Sequence, residues 1–203
     1  MKLYFSPGAC SLAPHIVLQE SGLPFDLVKA DLKTHQLAAD GSDYYPINSK
    51  GQVPLLELDG GERLSEGPAI TQYIADKVPA KNLAPANGTM ARYRVQEWLN
   101  FVTSELHKGI GGLFNPAMPE DGKAVIRAKA ASKLEWVDEQ LEGKQYLLGD
   151  TFTIADAYLF TVTNWTAHTG IDISGMKNLS AFQARMAARP AVQAAMKAEG
   201  LLK

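Results

Sequence analysis

The chain has 203 residues, 46% of them apolar and 21% charged, the profile of a globular protein with room for one domain or two small ones. Twenty basic side chains stand against 22 acidic ones, a formal charge of −2. That balance argues against a nucleic-acid binder, which carries a basic excess or stripe. No apolar run approaches the roughly 20 residues that cross a bilayer, so neither nucleic acid nor membrane is an expected partner.

Near the N-terminus one Lys precedes a short apolar run that Pro7-Gly8 interrupts, so no export signal is expected. Gly8-Ala9-Cys10 has the outline of a lipoprotein cleavage box without the long apolar segment that precedes such a box. Cys10 is the one cysteine, which forbids an internal disulfide and suits a reducing, cytoplasmic setting.

Lys2–Ser6 predicts a strand ended by Pro7-Gly8, and Pro14–Ser21 a helix opened by its proline and stopped by Gly22. Phe25–Asp31 reads as a second strand, with Phe25, Leu27 and, less cleanly, Val28 apolar. Val53–Leu58 and Glu62–Ser65 flank Asp59-Gly60-Gly61, a hairpin signal. Pro68–Val78 predicts a helix with Ile70, Tyr73, Ile74 and Val78 at helical spacing. A βαβ unit followed by a hairpin and a helix implies a mixed parallel and antiparallel sheet.

Two prolines and a glycine between residues 79 and 88 mark a linker. The expected division is an α+β domain over residues 1–80, a linker over 81–88 and an all-helical bundle over 89–203. In the second half, Ile126, Ala130, Leu134, Val137 and Leu141 follow helical spacing, and Gly143 closes that helix. Thr153-Ile-Ala-Asp156 has the form of a capping box. It opens Ala157–Val162, nearly all apolar and so expected at the centre of the bundle.

Four places can carry chemistry. Cys10 lies in a loop just ahead of a helix, where free N–H groups and the helix dipole favour a thiolate; the alternative is a small buried hydrophobe. In Gln52-Val53-Pro54, a cis bond would turn the Val53 backbone out of the sheet toward an extended peptide-like ligand, whereas a trans proline would mark a plain strand edge. Glu66-Gly67-Pro68 stands at a helix N-terminus, where N–H groups can take a carboxylate and Glu66 an ammonium, or where Glu66 merely complements the dipole. On a helix over Met90–Lys108, Asn100, Ser104 and His107 share a face by spacing, with Leu99, Val102 and Leu106 on another; such a stripe also reads as a solvated face. His15, His35 and His168 read as surface or satisfied residues, and no metal-site spacing exists among the histidines and Cys10.

A thioredoxin-like βαβ-ββα half, a linker and a helical half with an S/T-x-x-D box resemble a cytosolic-type glutathione S-transferase. The segments Met1–Leu12, Gly51-Gln-Val-Pro54, Glu66-Gly67, Glu97-Trp-Leu-Asn100, Glu105-Leu-His-Lys108 and Ala198–Lys203 are similar to the bacterial beta class across essentially the whole chain. The resemblance implies glutathione as co-substrate, no metal, a homodimer and a role in detoxification. It places Cys10 beside the glutathione sulfur, able to form a mixed disulfide with it. Val53, before a cis Pro54, pairs with the cysteinyl part, and Glu66 and Gly67 hold the γ-glutamyl end. Asn100 and the segment Ser104, Glu105, Leu106 and His107 complete the site, with His107 near the thiol.

Two positions depart from the class. His35 stands where a Lys is usual and where the glycyl carboxylate is expected, which makes affinity pH-dependent between about pH 5 and 8. Ser49 stands where the loop usually has Pro. Lowering a thiol pKa from near 8.5 to about 6.5 takes about 2.7 kcal/mol, within reach of one or two hydrogen bonds to the charged sulfur. The candidate donors are Cys10, Ser11 and His107, with Tyr4 less suited because it lies within a strand. An electrophile pocket is expected at Phe114, Met118 and Trp165. The competing functions are a glutathione-dependent thiol reductase using Cys10, and a non-catalytic ligand-binding protein on the same fold.

Overall fold

The computed structural model describes residues 1–202, which form two compact units. The first comprises Met1–Leu83 together with the segment from Arg189 onward; the second is Ala84–Ala188.

The first unit is built on five strands, β1 (Lys2–Phe5), β2 (Asp26–Asp31), β3 (Gln36–Leu37), β4 (Leu55–Glu57) and β5 (Arg63–Ser65), in the order β3-β2-β1-β4-β5. Leu3 faces Leu27 of β2 in parallel register and Leu56 of β4 in antiparallel register. The outer pairs are antiparallel, so the sheet is mixed, as the βαβ-plus-hairpin pattern requires. Central β1 buries Leu3, Tyr4 and Phe5 consecutively, the mark of a strand covered on both faces. Edge strand β3 was not expected from the sequence, because two residues are too few to show alternation.

Helix α1 (Leu12–Ser21) begins two residues before the expected Pro14. Proline is tolerated there because N–H groups of a first helical turn have no intrahelical acceptor. Gly22, at φ 71°, ends the helix with its N–H on the Leu18 carbonyl. Helix α2 (Gly67–Lys77) follows β5.

In the second unit, Thr89 caps α3 (Met90–Phe101), accepting the Arg92 N–H at 3.2 Å. A π turn over Val102–His107 and the short α4 (Lys108–Gly112) continue it. The single helix expected over Met90–Lys108 is therefore three pieces. Thr103 and Ser104 donate their hydroxyls to the carbonyls of Leu99 and Asn100, at 2.7 and 3.0 Å, a bonding pattern that competes with and loosens the regular ladder. Then come α5 (Glu120–Gln140), α6 (Ile154–Asn164), α7 (Thr166–Thr169) and α8 (Lys177–Ala187). Ala130, Leu134, Val137 and Leu141 are buried along one side of α5 and its cap, and Ile154–Thr163 of α6 are buried without a break. The chain forms the two-domain fold with a thioredoxin-like N-terminal half and a helical C-terminal half.

The expectation of one helical domain over 89–203 is corrected at its far end. Helix α9 (Pro190–Ala198) packs against α1 and belongs to the first unit. Val192 and Ala195 are fully buried, as are Ile16, Val17 and Leu18 of α1. Polar contacts fix the pairing: Arg189 Nε meets Glu20 at 2.8 Å, and His15 Nδ1 lies 2.8 Å from Glu199 Oε1 with both side chains fully buried. Among the described residues, no helix is long and apolar enough to cross a membrane.

Asp156 holds the entrance to α6. Its carboxylate accepts the Leu147 N–H at 2.8 Å, the Thr153 N–H at 2.7 Å and the Thr153 hydroxyl at 3.0 Å. Burial nevertheless pushes its pKa up from 3.8 to about 6, the hydrogen bonds pulling the other way. A raised carboxyl pKa favours the folded state most below the unfolded value, and that advantage disappears as pH rises through about 6. Urea titrations should show the stability gap between wild type and Asp156→Asn widening in favour of wild type by about 1 kcal/mol from pH 7.5 to pH 5. A gap constant with pH would mean that the carboxylate stays ionised throughout.

Candidate active site

The loop between β1 and α1 is closed on itself. Ser11 Oγ donates to the Ser6 carbonyl and accepts the Ser6 N–H, both at 3.2 Å. The Ser11 hydroxyl, a candidate donor to a thiolate, is thus committed to the loop. Its backbone N–H has no acceptor among the described residues and is the group that Ser11 has to offer. From the opposite side, Gly8 donates its N–H to Glu199 Oε2 at 2.9 Å. Cys10, half-buried, donates its thiol to the Val53 carbonyl at 3.2 Å. Two of the four candidate places are therefore in direct contact. Tyr4 is buried in β1 with its hydroxyl 3.4 Å from Glu57.

The Val53–Pro54 peptide is cis, the alternative that the sequence left open. The Val53 N–H donates to no group among the described residues. The preceding carbonyl, that of Gln52, accepts Tyr44 Oη at 3.0 Å and Asn48 Nδ2 at 2.7 Å. Tyr44 is fully buried, and burial pushes its phenol up to about 12, so the hydroxyl remains a donor at any working pH. Ser49, in the place of the usual Pro, is exposed; the Asn48–Gly51 turn closes regardless, Gly51 N–H reaching the Asn48 carbonyl at 2.8 Å.

His35 takes a left-handed φ of 54°. Its Nδ1 lies 3.1 Å from the Gly51 carbonyl, and its ring is 4.8 Å from that of Tyr45. Nδ1–H therefore donates to Gly51, and a neutral ring presents a lone pair at Nε2. Glu66, at φ 69°, immediately precedes α2, and its carboxylate meets Lys50 Nζ at 2.7 Å. Lys50 also reaches Ser65 Oγ at 3.1 Å. Lys50 was not among the residues picked out from sequence, since nothing in a single loop lysine distinguishes it from a solvated charge.

In the second unit, Asn100 and Ser104 are exposed near each other on the α3 side, joined through the Ser104 hydroxyl and Asn100 carbonyl. His107 does not continue their stripe. The intervening π turn sets it back by about 100° from the α-helical register. The His107 ring lies against Tyr158 and Trp165, with Nδ1 2.6 Å from Tyr158 Oη. Glu105 is ion-paired with Lys133, whose hydrogen bond pulls the carboxyl below its usual range. Leu106 is fully buried, so its side chain is core and its backbone is what it can offer a ligand. Phe114 packs on Trp165 with ring centroids 6.0 Å apart, and Met118 lies beside Gly112. His107, Trp165 and Phe114 thus form one aromatic cluster. His168 is exposed. No group of three metal-ligating side chains exists among the described residues.

The family model for the glutathione S-transferase N-terminal domain matches residues 1–76, and that for the C-terminal domain residues 101–190. The chain belongs to the glutathione S-transferase family. A curated relative, glutathione S-transferase GstA of Escherichia coli, is 49% identical over 99% of this chain and 100% of its own. The solved bacterial beta class glutathione S-transferase of Sphingomonas chungbukensis is 48% identical, covers 100% of both chains and superposes with a TM-score of 0.96. A sphingomonad glutathione S-transferase complexed with glutathione is 46% identical over 100% of both chains, with a TM-score of 0.95. Within the family, the chain falls with the bacterial beta class.

In this family member, Gly51 is bound to its identity by space as well as by φ. At φ 61°, a Cβ there would stand 2.7 Å from His35 Nδ1 and 2.8 Å from the Tyr45 ring. Gly51→Ala should lower unfolding stability by about 2–4 kcal/mol, left-handed strain and overlap together. Urea denaturation measures it, and a loss below about 1 kcal/mol would show that the loop relaxes freely.

Proposed function

We propose that this glutathione transferase docks glutathione in extended form along residues 51–67 of its first unit and presents the sulfur beside Cys10. The observation that carries this reading is the Val53 backbone: an N–H without an acceptor among the described residues, next to a carbonyl that already holds the Cys10 thiol. The N–H and C=O of one extended ligand residue can satisfy both, because a carbonyl oxygen accepts two hydrogen bonds. Glu66 and the start of α2 suit the ammonium and carboxylate of the γ-glutamyl end. His35 suits the glycyl carboxylate. Asn100, Ser104 and the backbone of Glu105 and Leu106 are further proposed contacts.

The thiolate is stabilised by donors to its charge: the Ser11 N–H, the positive end of α1, His107, and the Cys10 thiol once its proton turns from the Val53 carbonyl to the bound sulfur. The glutathione thiol loses its proton to solvent, the sulfur forms a carbon–sulfur bond with the electrophile, and the leaving group departs with the bonding pair. The cluster of Phe114, Met118 and Trp165 suits a largely apolar electrophile. Resemblance to the beta class supports a homodimer and a role in detoxification, and the single cysteine suits a reducing, cytoplasmic setting.

Conjugation uses Cys10 as one donor among several, whereas thiol exchange needs it as the nucleophile. Cys10→Ala should therefore keep conjugation of an aryl halide to within about tenfold of wild type, while exchange with a glutathione mixed disulfide disappears. Loss of both together would move the function to the reductase reading.

His35 Nδ1–H is given to the Gly51 carbonyl, whereas a lysine ammonium at this place would have protons to spare for the glycyl carboxylate. His35→Lys should therefore tighten glutathione binding about three- to tenfold, read by calorimetry. An unchanged affinity would remove His35 from the glycyl contact.

A further inference from the structure

Among the aromatic groups around His107, Tyr158 makes a hydrogen bond to the ring as well as a packing contact. Tyr158, on α6, is 3% exposed, and its Oη lies 2.6 Å from His107 Nδ1. The two rings stand nearly perpendicular, 87° with centroids 5.8 Å apart, and Trp165 approaches the same imidazole at 5.0 Å and 71°. The imidazole thus takes a hydrogen bond at Nδ1 and is flanked by two aromatic rings.

We propose that Tyr158 is a positioning residue: its hydroxyl donates to His107 Nδ1 and thereby keeps the ring proton on Nε2. A phenol is a good donor and a weak acceptor, while an unprotonated imidazole nitrogen is a strong acceptor, so the short bond runs from tyrosine to histidine. With Nδ1 occupied in this way, the neutral ring carries its hydrogen on Nε2. The tautomer matters for a developing anion. Nε2–H directed at a thiolate is attractive, whereas an Nε2 lone pair would repel it.

The π turn serves the same arrangement. In an unbroken helix, residue 107 would fall in line with Asn100 and Ser104, both exposed. The extra residue of the turn brings His107 against α6 instead. This inference rests on the proposed role of His107 at the glutathione sulfur, and its test separates the two.

The experiment uses the full chain with ring-labelled histidine, in wild type and in Tyr158→Phe, which keeps the aromatic packing and removes the hydroxyl. Two-bond proton–nitrogen correlation spectra at neutral pH should show His107 as the Nε2–H form in wild type and as a mixture in the variant. The kcat/KM for an aryl halide should fall about three- to tenfold in Tyr158→Phe, the range of one hydrogen bond. In a His107→Ala background, the same substitution should change kcat/KM by less than twofold, because Tyr158 acts through His107. An unaltered tautomer in Tyr158→Phe overturns the proposal and leaves His107 in place. A disturbed tautomer with full activity, together with a fully active His107→Ala, overturns the role of His107 and the proposal with it. An undiminished Tyr158→Phe effect in the His107→Ala background also overturns it, since the hydroxyl would then act by another route.

Discussion

The carbonyl of Gln52 is the fixed point of the candidate site. Tyr44 and Asn48 both donate to it, at 3.0 and 2.7 Å, which saturates its two lone pairs and fixes the plane of the Gln52–Val53 peptide. Because Tyr44 is fully buried and remains a phenol, that hold does not weaken with pH. The Val53 N–H lies in that plane, so its orientation follows directly, and the Val53 C=O, one peptide further on, seats the Cys10 thiol. Each bond is worth about 0.5–1.5 kcal/mol net. Losing one would cost more, because the orphaned group would stay in a buried setting. Gly51 completes the geometry from the other side, its missing side chain leaving room for His35 and Tyr45.

A second anchor reaches the same loop from the far end of the chain. Glu199 meets His15 with one oxygen and the Gly8 N–H with the other, so one buried carboxylate ties α1 and the Cys10 loop to the end of α9. Burying a carboxylate is costly unless its oxygens are satisfied, and both of these are. Removing either partner would leave the other polar group in a buried place, which makes such pairs far more costly to break than to replace as a unit. The helix packing of α9 on α1 and the hydrogen bonding of the loop are thus one structure rather than two.

Much of this was legible in the sequence, and for identifiable reasons. Gly22, Pro68 and the Asp59-Gly60-Gly61 turn are local signals that act over a few residues, and they fall where the structure puts helix ends and the hairpin. The apolar run Ala157–Val162 announced a buried helix because no polar face was available to meet water. What escaped reading is long-range. The Glu199–His15 pair spans most of the chain, and neither residue type signals burial by itself. Ser11 illustrates a subtler limit. Its residue type allowed a hydroxyl donor, yet the hydroxyl closes a loop onto Ser6, and only the backbone N–H stays available. Lys50 was passed over because a pairing partner, not a motif, gives it meaning.

The π turn shows why face arguments fail in a particular place. Spacings of four and three residues align side chains only while the chain advances about 100° per residue, and a turn with one residue more breaks that count. A local contribution comes from adjacent hydroxyl residues Thr103 and Ser104, which bond back to carbonyls four residues earlier. Serine and threonine do so in many helices without widening them, so their presence did not compel the outcome. The tertiary environment decides it: Leu106, the residue before His107, is fully buried, and the imidazole finds a phenol and an indole on the elements packed against it. In regular register, His107 would lie on the exposed face with Asn100 and Ser104 and lose both neighbours. The widened turn and the histidine's hydrogen bond are therefore two expressions of the same packing, and the polar stripe read from spacing resolves into an exposed amide–hydroxyl pair and a half-buried imidazole held by aromatic groups.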